Sequence, residues 1–314
     1  METKTESQDA SAENQSGGEW KRRDYYQRFY RHVREINDSA RAGTKEKIET
    51  LIVSMRAFLS KEELIDIMYS TAMTTDKYPY NIPTHSVNCT IYSIMIGKGL
   101  AYSPQKLEEL ALSVLIHDVG MALLPSELME REGRLSQNDF TEMKKHPDYG
   151  YKYLKESYPD MPYLATTAYH EHEREDGSGY NQGLTGNDIF EYAKICGAVD
   201  IFEALTHGRP YRKKMLPFEA IQSILQRDKR KFSKPILKVL IRCLSLFPKY
   251  SYVKLNTNAI AQVVDLDEKF PLRPTLKILL DSKGEKIIEE QIVDLKQNSL
   301  LYITGSAEVP TSDK

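Results

Sequence analysis

The feature that most restricts this chain is a rhythm of metal-capable side chains set into helical apolar periodicity. His85, His117-Asp118, His146, His172 and Asp200 recur at intervals of about one helix plus one loop. Successive antiparallel helices bring positions spaced in this way toward a common centre. The best-defined member ends the segment LEELALSVLIHDVG, where Leu107, Leu110, Val114 and His117 fall at i, i+3, i+7 and i+10. An apolar face that ends in a histidine and an aspartate has two polar groups to satisfy, and a metal ion does so. The imidazole offers one lone pair, and the adjacent carboxylate can bridge two cations. Five or six N and O donors exceed what one tetrahedral zinc uses. Two octahedral-type ions with Asp118 between them fit better, and mixed imidazole and carboxylate ligation favours Fe or Mn.

Three histidine-bearing stretches need finer reading. Leu164, Ala165, Ala168 and Tyr169 set the apolar face of a helix over Pro162–His172. At about 100° per residue His172 falls within that face, Glu171 at its edge and His170 nearly opposite, toward solvent. His32 lies in a basic N-terminal helix and reads as a surface residue. His207 reads as a helix-end cap that complements the helix dipole. Ile189, Ala193, Cys196, Asp200 and Glu203 share one face of a helix over Asn187–Thr206, so Asp200 points inward.

Along the chain, residues 1–19 read as a disordered leader and 20–78 as an N-terminal helical region. Residues 79–250 read as the metal-binding helical domain, and 256–308 as a small β-rich tail. The basic residues of 20–42 read as a solvated face. Ser60-Lys61-Glu62-Glu63 predicts a capping box for a helix through Met73, and Tyr78–Pro83 a loop. Thr84–Leu100 predicts a helix with His85 in its first turn. Ser103-Pro104 predicts a cap and first residue for the His117 helix. Ser136 opens a further helix with Phe140 and Met143 inward. Asp176-Gly177-Ser178-Gly179 reads as a turn. Thr275–Leu280 and Lys286–Ile292, flanking Asp281-Ser282-Lys283-Gly284, predict a hairpin, and Asp294–Ile303 a third strand.

Composition narrows the classes. A formal net charge of -2 over 314 residues gives no global attraction to DNA, RNA or an anionic membrane. Cys89, Cys196 and Cys243 are sparse, odd in number and without a CxxC, which suits reduced core thiols in a cytoplasmic protein. Ile91–Leu100 is too short and glycine-broken to span a bilayer.

The series resembles the HD-GYP subgroup of the HD metal-dependent phosphohydrolases over roughly 80–225. The residues are His85-Ser86, His117-Asp118-Val119-Gly120 and His146-Pro147-Asp148-Tyr149-Gly150. They continue with Glu171-His172-Glu173-Arg174-Glu175-Asp176-Gly177-Ser178-Gly179-Tyr180, then Ala198-Val199-Asp200, Ala204-Leu205-Thr206 and Arg209-Pro210-Tyr211-Arg212. The resemblance implies a mainly α helical bundle carrying a bacterial phosphodiesterase that hydrolyses cyclic di-GMP, to the linear dinucleotide or to GMP. It implies metal ligation by His85, His117, Asp118, His146, Glu171, His172 and Asp200, with His117 and Asp118 catalytic. It implies phosphate contacts from Arg209 and Arg212, and a GYP-type loop comprising Asp176, Gly177, Gly179 and Tyr180. Two divalent ions are expected, Fe or Mn, with a homodimer or a signalling partner protein left open.

The sequence departs from that pattern at five places, the mildest being Glu203 where aspartate is usual. Met121 stands where the family has lysine, Glu171 where it has histidine and Asn181 where it has proline. Asn81 stands where a trinuclear subset has glutamate. The alternative reading is therefore a catalytically degenerate module that binds a nucleotide or a partner protein.

Overall fold

A helix buried on nearly every side organises the helical part. The computed structural model describes residues 25–74, 81–129, 136–208, 214–215, 217–244, 247, 249–267, 270 and 272–307. The central helix, α4 (Ile82–Gly99), follows α1 (25–41), α2 (Glu49–Leu59) and α3 (Glu62–Thr74). Its apolar and small polar residues point in all directions, so it has no solvent face, as befits a helix inside a bundle. Asn81 starts it by accepting from the Thr84 N–H at 2.9 Å, and Pro83 sits in its first turn. The N-terminal helices close one side with an aromatic cluster. Tyr26, Phe29, Val33 and Ile36 of α1 are buried, and the rings of Phe29 and Phe58 meet edge to face at 5.4 Å.

The chain then continues through α5 (Pro104–Leu115), a 3₁₀ turn (His117–Leu123), α6 (Ser126–Met129) and α7 (Gln137–Met143). Next come α8 (His146–Ser157), α9 (Pro162–His170), a short turn (Gly186–Asp188) and α10 (Glu191–Thr206). The helical part closes with α11 (Pro217–Ser223), a π turn (Ile224–Asp228) and α12 (Lys234–Cys243). α3, α5, α10 and α12 all pack on α4, while α8 lies against the 3₁₀ turn and α9. Five antiparallel strands follow: β1 (Tyr252–Leu255), β2 (Ile260–Asp265), β3 (Thr275–Leu280), β4 (Lys286–Asp294) and β5 (Ile303–Ser306). Their order is β4-β3-β2-β1-β5. Alternating residues Val253, Leu255, Ala261, Val263, Leu276 and Ile278 fill one face, which forms a core of its own with Leu295. The architecture is therefore mainly α with a small β-rich C-terminal part.

Several local expectations are corrected. Ser60 closes α2 rather than opening α3, its hydroxyl donating to Ala57 O, so the expected capping box does not form. The true box is Ser136 with Asp139 at the start of α7. The His117-Asp118 helix stops at Leu115, because the tighter 3₁₀ turn takes over at the metal-capable pair. Phe140 is exposed, not inward. β1 and β2 lie outside every predicted strand, and 294–302 is largely turn, with only Ile303 entering β5.

Phe58 lies at the centre of the aromatic cluster with no exposed surface. Phe58→Ala is expected to lower stability by about 3–5 kcal/mol, read as a shift in urea-induced loss of helical signal. A shift below about 1 kcal/mol would contradict the packing described.

Candidate metal centre

Three of the four histidines of the centre are anchored from behind. His117 Nδ1–H donates to Val114 O at 2.7 Å, and His146 Nδ1–H donates to Met143 O at 2.8 Å. Both acceptors lie three residues upstream, where the end of one helical segment frees a carbonyl. His85 Nδ1–H donates instead to Glu203 Oε2 at 2.6 Å. With Nδ1 carrying the proton, the Nε2 lone pair of each ring faces inward, the tautomer that a metal ligand needs.

The inward faces converge on Asp118. Its Oδ2 lies 3.7 Å from His85 Nε2 and 3.6 Å from His117 Nε2, while Oδ1 lies 3.6 Å from His146 Nε2. One carboxylate oxygen therefore serves each side. Asp200 Oδ1 joins the first side, 3.4 Å from His85 Nε2. On the second side His172 Nε2 approaches His146 Nε2 to 3.1 Å. Glu171 also spans both sides: Oε1 is 3.2 Å from His146 Nε2, and Oε2 is 3.5 Å from His117 Nε2. Three overlapping groups of potential ligand atoms result: His85, His117 and Asp118 on one side, His146, Glu171 and His172 on the other, and His117 and Glu171 with Cys196. All seven expected ligands are thus brought together.

The electrostatics fit divalent cations. Burial alone would raise the Asp118 carboxyl, but the imidazoles of His117, His146 and His85 hold it well below the usual carboxylate range. Burial also opposes ionisation of Glu203, yet His85 beside it brings its carboxyl down to about 2. Glu171 goes the other way, pushed up by burial. A fully buried carboxylate of that kind needs a positive partner, and facing lone pairs on His146 and His172 need the same. The donor set, four imidazole nitrogens and three carboxylates, suits divalent metal ions.

Close backbone approach builds the geometry. A side chain on Gly120 would place its Cβ 1.9 Å from His146 O, so glycine there lets the His117-Asp118 turn meet the start of α8. A Cβ at Gly179 would meet Glu173 Cα and His172 O at 2.5 Å. The Asp176–Tyr180 loop is tied down by Glu173, whose carboxylate accepts from the N–H groups of Gln182, Gly183 and Leu184. Asp176 Oδ1 accepts from Ser178 Oγ at 2.6 Å within the turn. The loop lays Tyr180 against His172, ring centroids 4.7 Å apart and planes 22° apart.

Other expectations fare differently. Arg209 and Arg212 lie outside the described residues. His170 stays out of the centre but is half-buried rather than solvent-facing, because its Nδ1 accepts from the Phe190 N–H at 3.3 Å. His32 is likewise partly buried and pairs with Glu35 at 3.4 Å. His207 is buried and faces Glu203 Oε1 at 3.3 Å, so it belongs to the network behind His85. Asn81 is occupied as the α4 cap and donates to the Tyr30 hydroxyl. Cys89 and Cys196 are fully buried, and burial pushes the Cys89 thiol up to about 12. The sequence reading missed Asn88, which donates to Glu203 Oε1 at 3.3 Å and accepts from the Tyr26 hydroxyl at 3.2 Å. Nothing in a lone asparagine on a helix announces that role.

The helical fold and the convergent imidazoles and carboxylates define a protein of the HD type, a metal-dependent class. The chain belongs to the HD domain family, whose family model matches residues 64–235, and a KOW domain associated with HD domain matches 252–310. It is similar to the cyclic di-GMP phosphodiesterase PdeB of Borreliella burgdorferi, 31% identical over 206 residues, covering 66% of this chain and 54% of the relative. It is 26% identical over 222 residues to the cyclic di-GMP phosphodiesterase PA4108 of Pseudomonas aeruginosa, covering 71% of this chain and 53% of the relative. The chain thus spans about half the length of these curated relatives. Among solved structures, the HDG"Y"P protein Bd1817 of Bdellovibrio bacteriovorus shares the fold with a TM-score of 0.57, at 17% identity over 69% of each chain. Among the described residues no helix is long and apolar enough to cross a membrane.

Removing the anchor behind His85 tests the arrangement. Glu203→Ala is expected to weaken metal binding about 10–100-fold while leaving the helical fold intact; titration with Mn(II) measures it, and unchanged affinity would contradict the role. Gly120→Ala is expected to push α8 away and reduce bound metal per chain, checked by elemental analysis. Full metal content in that variant would show that the turn and α8 tolerate separation.

Proposed function

We propose that the chain is a metal-dependent phosphodiesterase of cyclic dinucleotides, acting on cyclic di-GMP at a two-metal centre and yielding the linear dinucleotide or GMP. The observation that carries this reading is the two-sided arrangement of Asp118, with Oδ2 toward His85 and His117 and Oδ1 toward His146. In a binuclear centre, His85, His117 and Asp200 would hold one ion and His146 and His172 the other, with Asp118 and Glu171 shared. Bound divalent ions would supply Lewis acidity toward a phosphoryl oxygen and activation of water. The names of the similar proteins support the substrate class.

The chain's own residues would do the positioning. Anchored Nδ1 groups fix the rings, so the ligands need little reorganisation when substrate arrives. Tyr180, stacked on His172, covers that ring and limits solvent at the second side. Arg209 and Arg212 remain the proposed phosphate contacts.

A second reading, a module that binds a nucleotide or partner protein without turnover, is favoured by Met121. It lies on the 3₁₀ turn with His117 and Asp118 and offers phosphate no charge.

The deciding experiment is turnover of cyclic di-GMP by anaerobically purified protein with Fe and Mn quantified in the same sample. Linear dinucleotide or GMP should appear, and His117→Ala and Asp118→Ala should each lower the rate at least about 10³-fold. A fully metal-loaded protein that forms no product from cyclic di-GMP would overturn the reading as an enzyme on this substrate.

A further inference from the structure

Beside the metal centre, Tyr180 carries a cation. Lys144 Nζ lies 4.9 Å from the centroid of the Tyr180 ring, the ring that stacks on His172 at 4.7 Å. Lys144 is thus joined to the His172 side of the centre through the Tyr180 ring. Its Nζ also lies 4.8 Å from the centroid of Phe140, one turn earlier on α7. Phe140 is 46% exposed, a large apolar ring left at the surface next to a polar site. Among the described residues Lys144 forms no ion pair, whereas its neighbour Lys145 binds Glu142 at 2.6 Å. Arg174 turns its Nη1 to the backbone, donating to Glu171 O and Glu173 O at 2.8 Å each.

We propose that Lys144, with Tyr180 and Phe140, forms a subsite for the second phosphodiester group and an adjoining base of a cyclic dinucleotide. This rests on the reading of the metal centre as the place where the first phosphodiester is cleaved. A cyclic dinucleotide carries two phosphodiesters on opposite sides of one macrocycle. With one at the metals, the other lies displaced from them by a fixed offset, and a cation there would select cyclic dinucleotides over simpler esters. A lysine ammonium is a compact point charge suited to phosphate. Held over aromatic rings, it is already oriented, so little freedom is lost on binding. The exposed face of Phe140 supplies a stacking surface for a base of any identity.

The test uses full-length, metal-loaded protein and cyclic di-GMP, comparing wild type with Lys144→Ala, Lys144→Arg and Phe140→Ala. KM is the readout, or Kd where turnover is absent. Lys144→Ala should raise it about tenfold, the loss of one charge-assisted contact, with kcat within about threefold and metal content as in wild type. Lys144→Arg should recover most of the affinity, and Phe140→Ala should weaken binding several-fold. An unchanged KM in Lys144→Ala, or a fall in kcat and metal content at constant KM, would overturn the subsite. Wild-type turnover with an indifferent Lys144→Ala variant removes the subsite alone. Wild type that neither binds nor cleaves cyclic di-GMP removes the subsite together with the functional reading beneath it.

Discussion

The arrangement depends on one carboxylate facing two ways. Asp118 presents one oxygen to His85 and His117 and the other to His146, and the helical bundle exists in a form that permits this. Gathering Asp118, Glu171 and Asp200 beside four imidazoles in a largely dry interior is unfavourable without cations, since buried unpaired charge costs several kcal/mol per ion. Metal binding would therefore contribute directly to the stability of the folded chain, by mass action on the native state. Glu171 adds a second shared carboxylate, so the two sides are tied by two side chains from different elements: Asp118 on the 3₁₀ turn and Glu171 at the end of α9.

Support for that centre reaches well beyond the ligands. A buried polar chain runs from Tyr26 on α1 through Asn88 on α4 and Glu203 on α10 to His85. All four side chains are essentially inaccessible. The N-terminal helix thus takes part in orienting one imidazole, although it contributes no ligand. Displacing α1 would leave the Asn88 Oδ1 short of a partner in a low-dielectric setting, where an unmet polar group is costly.

Much of this was legible in the sequence, for a physical reason. Metal ligation restricts residue type severely, and helices of ordinary length space ligands regularly, so His85, His117-Asp118, His146, His172 and Asp200 stood out together. Helix starts were legible where capping chemistry is local, as at Ser103 and Ser136. Ser60 misled because a serine can close one helix as well as open the next. The exposure of Phe140 and the partial burial of His170 were not legible, since each depends on which neighbouring element packs there. A four-residue strand such as β1 carries too few residues for alternation to declare itself. Asn88 and Tyr26 gain their roles only from contacts 62 residues or more apart in sequence.

The most direct test of the central claim is anomalous diffraction from crystals of the manganese-loaded protein. The account predicts two Mn positions per chain, about 3.5–4 Å apart, with Asp118 Oδ1 on one and Oδ2 on the other. A single ion per chain, or two ions that do not share Asp118, would contradict it.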